Sequence, residues 1–196
     1  GRVDRITLPT TENAGWRFEY RPEKGLDCIS AVWTPLGAHE TVQYNDDGHG
    51  LPGSGNEQRK LPRVTDHVTD PGGGQGPITV KYTYSANGHN FLGFNSGIGW
   101  SEDGLDNLYK MLDAYEYEST EALMVGTDTV RSVTRTFNRF HLLVSETTLQ
   151  GTHQQTQKTR YYADEDDKLA FDAQPRQCQL PKEVMTRWEL TDDARK

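Results

Sequence analysis

Ile78-Thr79-Val80-Lys81-Tyr82-Thr83-Tyr84-Ser85-Ala86-Asn87-Gly88 is the stretch from which the rest of the chain can be read. Apolar and aromatic residues hold positions 78, 80, 82 and 84, while Thr79, Lys81 and Thr83 fall between them. That alternation is the period of a strand with one covered face. The stretch then closes on Tyr84-Ser85-Ala86-Asn87-Gly88, an aromatic followed at once by a turn-forming residue and four positions on by Gly. Such a unit reads as strand end, turn, strand start. The aromatic suits a pleated surface, the small polar residue bonds its own backbone, and Gly accepts a positive φ.

The same unit recurs. Trp33-Thr34-Pro35-Leu36-Gly37, Tyr44-Asn45-Asp46-Asp47-Gly48 and Trp100-Ser101-Glu102-Asp103-Gly104 repeat the order. Phe137-Asn138-Arg139-Phe140-His141 is a degenerate copy that runs on into Leu142-Leu143-Val144-Ser145-Glu146-Thr147. The spacing between copies is irregular, so unrelated hairpin turns are the competing account. Gly37, Gly48, Gly88 and Gly104 mark the turns, and Gly48 and Gly88 are expected at positive φ.

Outward from this stretch the chain reads as a series of hairpins. Trp16-Arg17-Phe18-Glu19-Tyr20 alternates aromatic and charged residues, Arg21 to Gly25 is a turn, Leu26 to Trp33 is a strand and Glu40 to Tyr44 another. Residues 45–77 are loop-rich, with Leu61 to Thr69 as an edge strand and Asp70 to Pro77 as an irregular, flexible loop. Leu105 to Met111 holds one short helical turn. Ala114 to Val125 and Thr129 to Phe137 flank Gly126-Thr127-Asp128, and Phe140 to Leu149 and Gln154 to Tyr162 flank Gly151, giving two hairpins. Asp164 to Lys168 is a solvated acidic loop, and Val184 to Leu190 is the last strand. The expected fold is all-β: an antiparallel, hairpin-rich curved sheet over residues 1–196 as one domain, with a β-sandwich as the alternative.

Composition agrees with that class. Of 196 residues, 19 are Gly and 9 Pro, and only 33% are hydrophobic; mean hydropathy is -0.82. Many short strands and turns with a wet face follow from such a balance. The net charge of -8 opposes sequence-independent nucleic-acid binding and gives no attraction to anionic membranes. No apolar run reaches the length of a membrane span. The chain starts at Gly1 rather than Met, which leads to the expectation of a fragment or a processed product.

The wider stretches Glu40 to His49, Asp106-Asn107-Leu108-Tyr109, Arg135 to His141 and Cys178 to Val184, together with the Phe137 unit, resemble RHS proteins related to the B and C components of insecticidal toxin complexes. Their tyrosine–aspartate repeat runs Tyr-Asp-x-x-Gly-Arg-Leu. Asn138 stands at its Asp, His141 at its Gly and Leu142 at its Arg. The resemblance implies a stretch of a hollow β shell around a toxic cargo, in a secreted or cell-surface bacterial protein. The partners it implies are other segments of the parent, toxin-complex subunits or cell-surface glycans. RHS cores also cleave themselves at an aspartyl site with Asp-Pro-x-Gly elements. Asp70-Pro71-Gly72-Gly73 is a single such tetrapeptide in a glycine loop, and that role is not carried over.

Chemistry is sparse in the sequence. None of the six histidines pairs with another at metal-clamp spacing. His49 and His89 each follow a repeat glycine and read as exposed residues sharing a turn role. Asn45-Asp46-Asp47-Gly48 fails as an EF-hand, because counting from Gln43 puts Ser54 where Glu is required. The acid pairs Glu102/Asp103 and Asp46/Asp47 sit in turns with nothing to fix their geometry. No nucleophile elbow, P-loop or dinucleotide fingerprint occurs, so no catalytic residue, metal ligand or cofactor is assigned. Cys28 and Cys178 match no metal or redox spacing and read as two half-buried thiols, with a disulfide open only if the fold joins them. The competing function is a carbohydrate- or receptor-binding β module with Trp100 as a stacking platform. Core and cross-strand packing is the favoured role for the aromatics.

Overall fold

A computed structural model of the chain describes residues 1–23, 25–53, 60–163 and 168–191. The described residues form eleven strands: β1 (Arg5–Thr7), β2 (Gly15–Glu23), β3 (Leu26–Trp33), β4 (His39–Gly50), β5 (Lys60–Asp70), β6 (Ile78–Tyr84), β7 (Glu116–Val125), β8 (Asp128–Asn138), β9 (Leu143–Gln150), β10 (His153–Tyr161) and β11 (Pro181–Leu190). All lie in a single sheet whose spatial order is the chain order. Every neighbouring pair is antiparallel. The sheet does not close on itself. It is one continuous meander rather than two packed sheets, so the sandwich alternative falls.

Local sequence explains most of the turns. Val125 pairs with Asp128, and Gly126 between them takes φ 61°, which lets a two-residue link reverse the chain. Gln150 pairs with His153 in the same way, with Gly151 at φ 57°.

Four strand readings need correction. β1 has no sequence counterpart, and Trp16 is covered by Ile6, so Trp16 to Tyr20 is not the outermost strand. β2 also runs on into the expected turn, as far as Glu23. Pro22 is tolerated there because β1 pairs only with Gly15 to Arg17, leaving no neighbour to require its missing N–H. β4 continues through the expected loop to Gly50. β5 lies between β4 and β6 and is not an edge. A bulge marks the seam between β4 and β5: Arg63 pairs with Asn45 and Leu61 with His49, so residues 46–48 bulge out opposite Pro62, whose nitrogen faces the side that β6 does not reach. Leu108–Lys110 form the short helical turn as expected. The acidic stretch 164–167 and residues 54–59 lie outside the described residues.

Alternation sorts side chains onto two faces. On one, Thr83, Thr120, Thr134, Thr147 and Thr156 stand directly opposite one another on five successive strands. Thr120 and Thr134 share a hydrogen bond of 2.8 Å, and Thr147 and Thr156 one of 3.2 Å. The other face carries the row Tyr82, Glu121, Val133, Thr148, Gln155 and Trp188. Arg135 bridges Glu146 at 2.7 Å and Glu121 at 3.4 Å.

The sheet is thin. Only six hydrophobic residues are buried among those described, and four of them (Leu108, Met111, Tyr115 and Phe140) lie in connections rather than strands. An up-and-down order alternates its links between two ends. One end has the tight links 126–127 and 151–152; the other has the long ones, 85–115 and 162–180. The core cluster of Leu108, Met111 and Tyr115 sits at the long-link end.

Candidate functional site

The long links pack together into a cap over their end of the sheet. Asn90, buried at its base, organises the first part. Its Oδ1 accepts from Leu92 N–H at 2.9 Å, and its Nδ2 donates to Gly50 carbonyl at 2.9 Å. The Tyr115 hydroxyl accepts from Asn90 N–H at 2.9 Å and faces the carbonyls of Asn90 and Phe94 at 3.0 and 2.8 Å. His49 meets Tyr84 and Phe91 edge-on, and His89 stacks on Tyr115. Burial pushes the His49 imidazole below its ordinary value, helped by the Arg63 charge. These two histidines are therefore packed against aromatics, not the exposed turn residues the sequence implied.

The second part is built on the β8–β9 turn. Asn138 Oδ1 accepts from Phe140 N–H at 3.0 Å and Leu142 N–H at 3.1 Å. His141 takes φ 59°, the left-handed conformation that glycine adopts most readily. Arg139 is fully buried and donates to the carbonyls of Met111 and, at 2.7 Å, Leu169. It thereby ties three separate links to one guanidinium. Its Cζ also lies 4.1 Å over the Phe140 ring.

His141 is held from both sides, with Nε2 3.0 Å from Asp106 Oδ2 and Nδ1 2.9 Å from the Tyr117 hydroxyl. A carboxylate, an imidazole and a hydroxyl in this order can activate a nucleophile. Here burial, with Asp106 adding to it, pushes the Tyr117 phenol up to about 12. The Asp106 carboxylate only accepts, so Nε2–H of a neutral imidazole donates to it and Nδ1 accepts from the Tyr117 hydroxyl. The chain acts as a clamp that fastens the 85–115 link to the turn.

Beside the cap, on the threonine face, lies an open groove of about 550 Å³. Glu116 and Glu118 form one side, Thr136 and Ser145 the floor, and Lys158 and Lys182 the other side. Such a lining suits a polar, hydrogen-bonding occupant. Among the described residues no three His, Cys, Asp or Glu side chains converge on a metal position. Cys28 and Cys178 are both free thiols of intermediate burial.

The repeat residues do not form one site. Trp33 belongs to the tight-link end, between the Arg17 guanidinium at 3.7 Å and the stacked His39 ring at 4.4 Å. Gly37 follows it at φ 89°. Tyr44 and Asn45 lie in β4, where the Tyr44 hydroxyl donates to Ile29 carbonyl at 2.8 Å and Asn45 Oδ1 accepts from Asp47 N–H. Gly48 is in the bulge, not at positive φ, and is needed because a Cβ would overlap the Leu61 carbonyl oxygen. Tyr84 donates to Val64 carbonyl at 2.9 Å. Gly88 and Gly104 do take positive φ, 80° and 79°. Trp100 is 52% exposed on the 85–115 link. Phe137 stacks on Tyr117. Sequence reasoning missed Asp106, Tyr117, Asn90 and Arg139 as parts of the cap, because their partners lie far along the chain; the histidine standing at a glycine position was the one available signal.

No family model, no curated protein and no solved structure matches the chain.

Proposed function

We propose that this chain is a non-catalytic structural segment of an RHS-type toxin protein, one stretch of a β shell enclosing a cargo. The observation that carries the reading is β11. Among the described residues it is a ten-residue strand bonded on one side only, with Val184, Met185, Trp188 and Leu190 exposed. A self-contained domain normally blunts or covers such an edge. The thin sheet and the small core also fit a wall that relies on neighbouring segments. In this reading those segments, and toxin-complex subunits, are the partners, and the parent is secreted or cell-surface.

Trp188, 72% exposed, is the reporter. With Trp16, Trp33 and Trp100 replaced by Phe and the isolated chain dilute enough to be monomeric, acrylamide quenching of its fluorescence should be near that of free tryptophan, and it should be strongly reduced within the parent polypeptide. Equal quenching in both overturns the wall reading. A second reading, a carbohydrate- or receptor-binding module, rests on the exposure of Trp100.

A further inference from the structure

The two ends of the sheet are not equivalent edges. On the β1 side, the first strand is three residues long and the uncovered part of β2 contains Pro22. A short strand and a proline are devices that discourage strand addition. On the β11 side neither device is present after Pro181, and alternate residues between Lys182 and Leu190 turn their backbone N–H and C=O groups to the free edge.

The side chains of β11 also complement themselves. Its odd positions share a face with Arg160, Lys158, Thr156 and Gln154, their register partners on β10. A second β11 laid antiparallel about a two-fold normal to the sheet keeps like face on like face. Centred on Met185, that arrangement sets Glu183 opposite Arg187 of the second copy, twice by symmetry. It also sets Lys182 opposite Trp188 twice, where an ammonium over an indole is favourable. Centring on Thr186 instead would place Glu183 against Glu189 twice. Centring on Val184 would leave Trp188 opposite Leu180, outside the strand. Only the Met185 register extends the ion pairs already on the surface, Arg160–Glu183 at 3.1 Å and Arg187–Glu189 at 2.6 Å, into an alternating row across the seam.

We propose that β11 is a homodimerisation edge, pairing with β11 of a second copy of this chain in the register centred on Met185. The seam is isologous and closes at two copies, where an edge-to-opposite-edge contact would grow into a filament. Backbone hydrogen bonds and the covered apolar side chains supply the association, and the charges select the register. The inference stands apart from the wall reading, and either can fail without the other.

Sedimentation of the chain over a wide concentration range, at low salt, tests it. The wild type is expected to reach a dimer and go no further. E183R gives a β11 bearing Arg at both 183 and 187, and R187E one bearing Glu at both. Each alone should associate at least about tenfold more weakly. Mixed in equal amounts they should form a heterodimer, because every seam pair is again opposite in charge. With Cys28 and Cys178 replaced by Ser, M185C should cross-link under mild oxidation and V184C should not. Circular dichroism confirms that each variant keeps its β structure. A monomeric wild type, single variants that dimerise as the wild type does, a mixture that stays monomeric, or cross-linking through residue 184 in preference to 185 overturns the proposal.

Discussion

The Nε2 of His141 lies 3.0 Å from Asp106 Oδ2, joining two residues that are 35 positions apart in the chain. One sits in the long link before β7 and the other in the turn after β8. Replacing Asp106 by Ala removes the carboxylate and leaves the imidazole N–H to water. Both groups are partly exposed, so the expected loss is modest, about 1 kcal/mol. His141→Gly should cost less than His141→Val, since glycine relieves the left-handed backbone while valine adds β-branched strain. Thermal melts of the three variants check both statements; equal melting of the Gly and Val variants would contradict the second.

Arg139 should be among the least replaceable residues. It is buried and carries carbonyls from two separate links. Arg139→Ala leaves those carbonyls without their donor and opens a cavity, at an expected cost of about 3 kcal/mol or more. Lysine lacks the planar fork and should recover little of it. Urea unfolding midpoints of the two variants give the measurement.

Gly48 and Gly88 should fail for different reasons. Gly88 has φ 80°, so Gly88→Ala should cost about 1 kcal/mol through backbone strain. Gly48 has ordinary φ, but a Cβ would meet the Leu61 carbonyl and the Arg63 amide. Gly48→Ala should therefore part β4 from β5 and cost more, about 2 kcal/mol or above. Gly104, at φ 79° with open space around it, serves as the strain-only control. Hydrogen exchange at Arg63 should rise in the Gly48 variant and not in the other two.

His49 gives the chain an acid-side dependence. Burial holds its folded-state value below the 6.5 of a free imidazole. As pH falls from 6.5, the unfolded chain takes up a proton before the folded one does. Stability from this group is thus full above 6.5 and is lost as pH drops through the folded value. His49→Gln should flatten that part of the curve. A denaturation series from pH 7.5 to pH 5 that is unchanged by the substitution would refute the assignment.

Trp100 separates the two functional readings. If the chain is a wall segment, a glycan array should show no specific binding and Trp100→Ala should change nothing there. Selective binding that disappears with Trp100→Ala would favour the binding module. Half-exposed aromatics at such a position serve either purpose, so stability data alone do not decide.

Fold class was legible because it rests on local signals. The period-two run at 78–84 became β6 with the same limits, and Leu26 to Trp33 became β3 unchanged. Glycines at 126 and 151 placed two hairpins correctly. Prolines misled the reading at 22 and 62, where each sits on a side of its strand that has no hydrogen-bonding neighbour. That circumstance depends on the far side of the sheet and has no local mark. The cap was illegible for a related reason. Asn90, Asp106, Tyr117 and Arg139 act through partners 24 to 40 residues away. A His at a glycine position was visible in the sequence, but what held it there was not.

The strictly sequential strand order has a consequence for how the molecule is made. Each strand after the first docks on one already synthesised, so no segment waits for a distant partner before it can pair. Across the tight links, such as Val125 with Asp128 and Gln150 with His153, the paired residues are close in sequence, a topology that favours fast folding, while β7 and β11 dock only once their long links are made. It also suits vectorial assembly on the ribosome, hairpin by hairpin. The same property makes length an adjustable quantity: duplicating or deleting one hairpin changes the width of the sheet without rethreading anything, much as a repeat array gains or loses units.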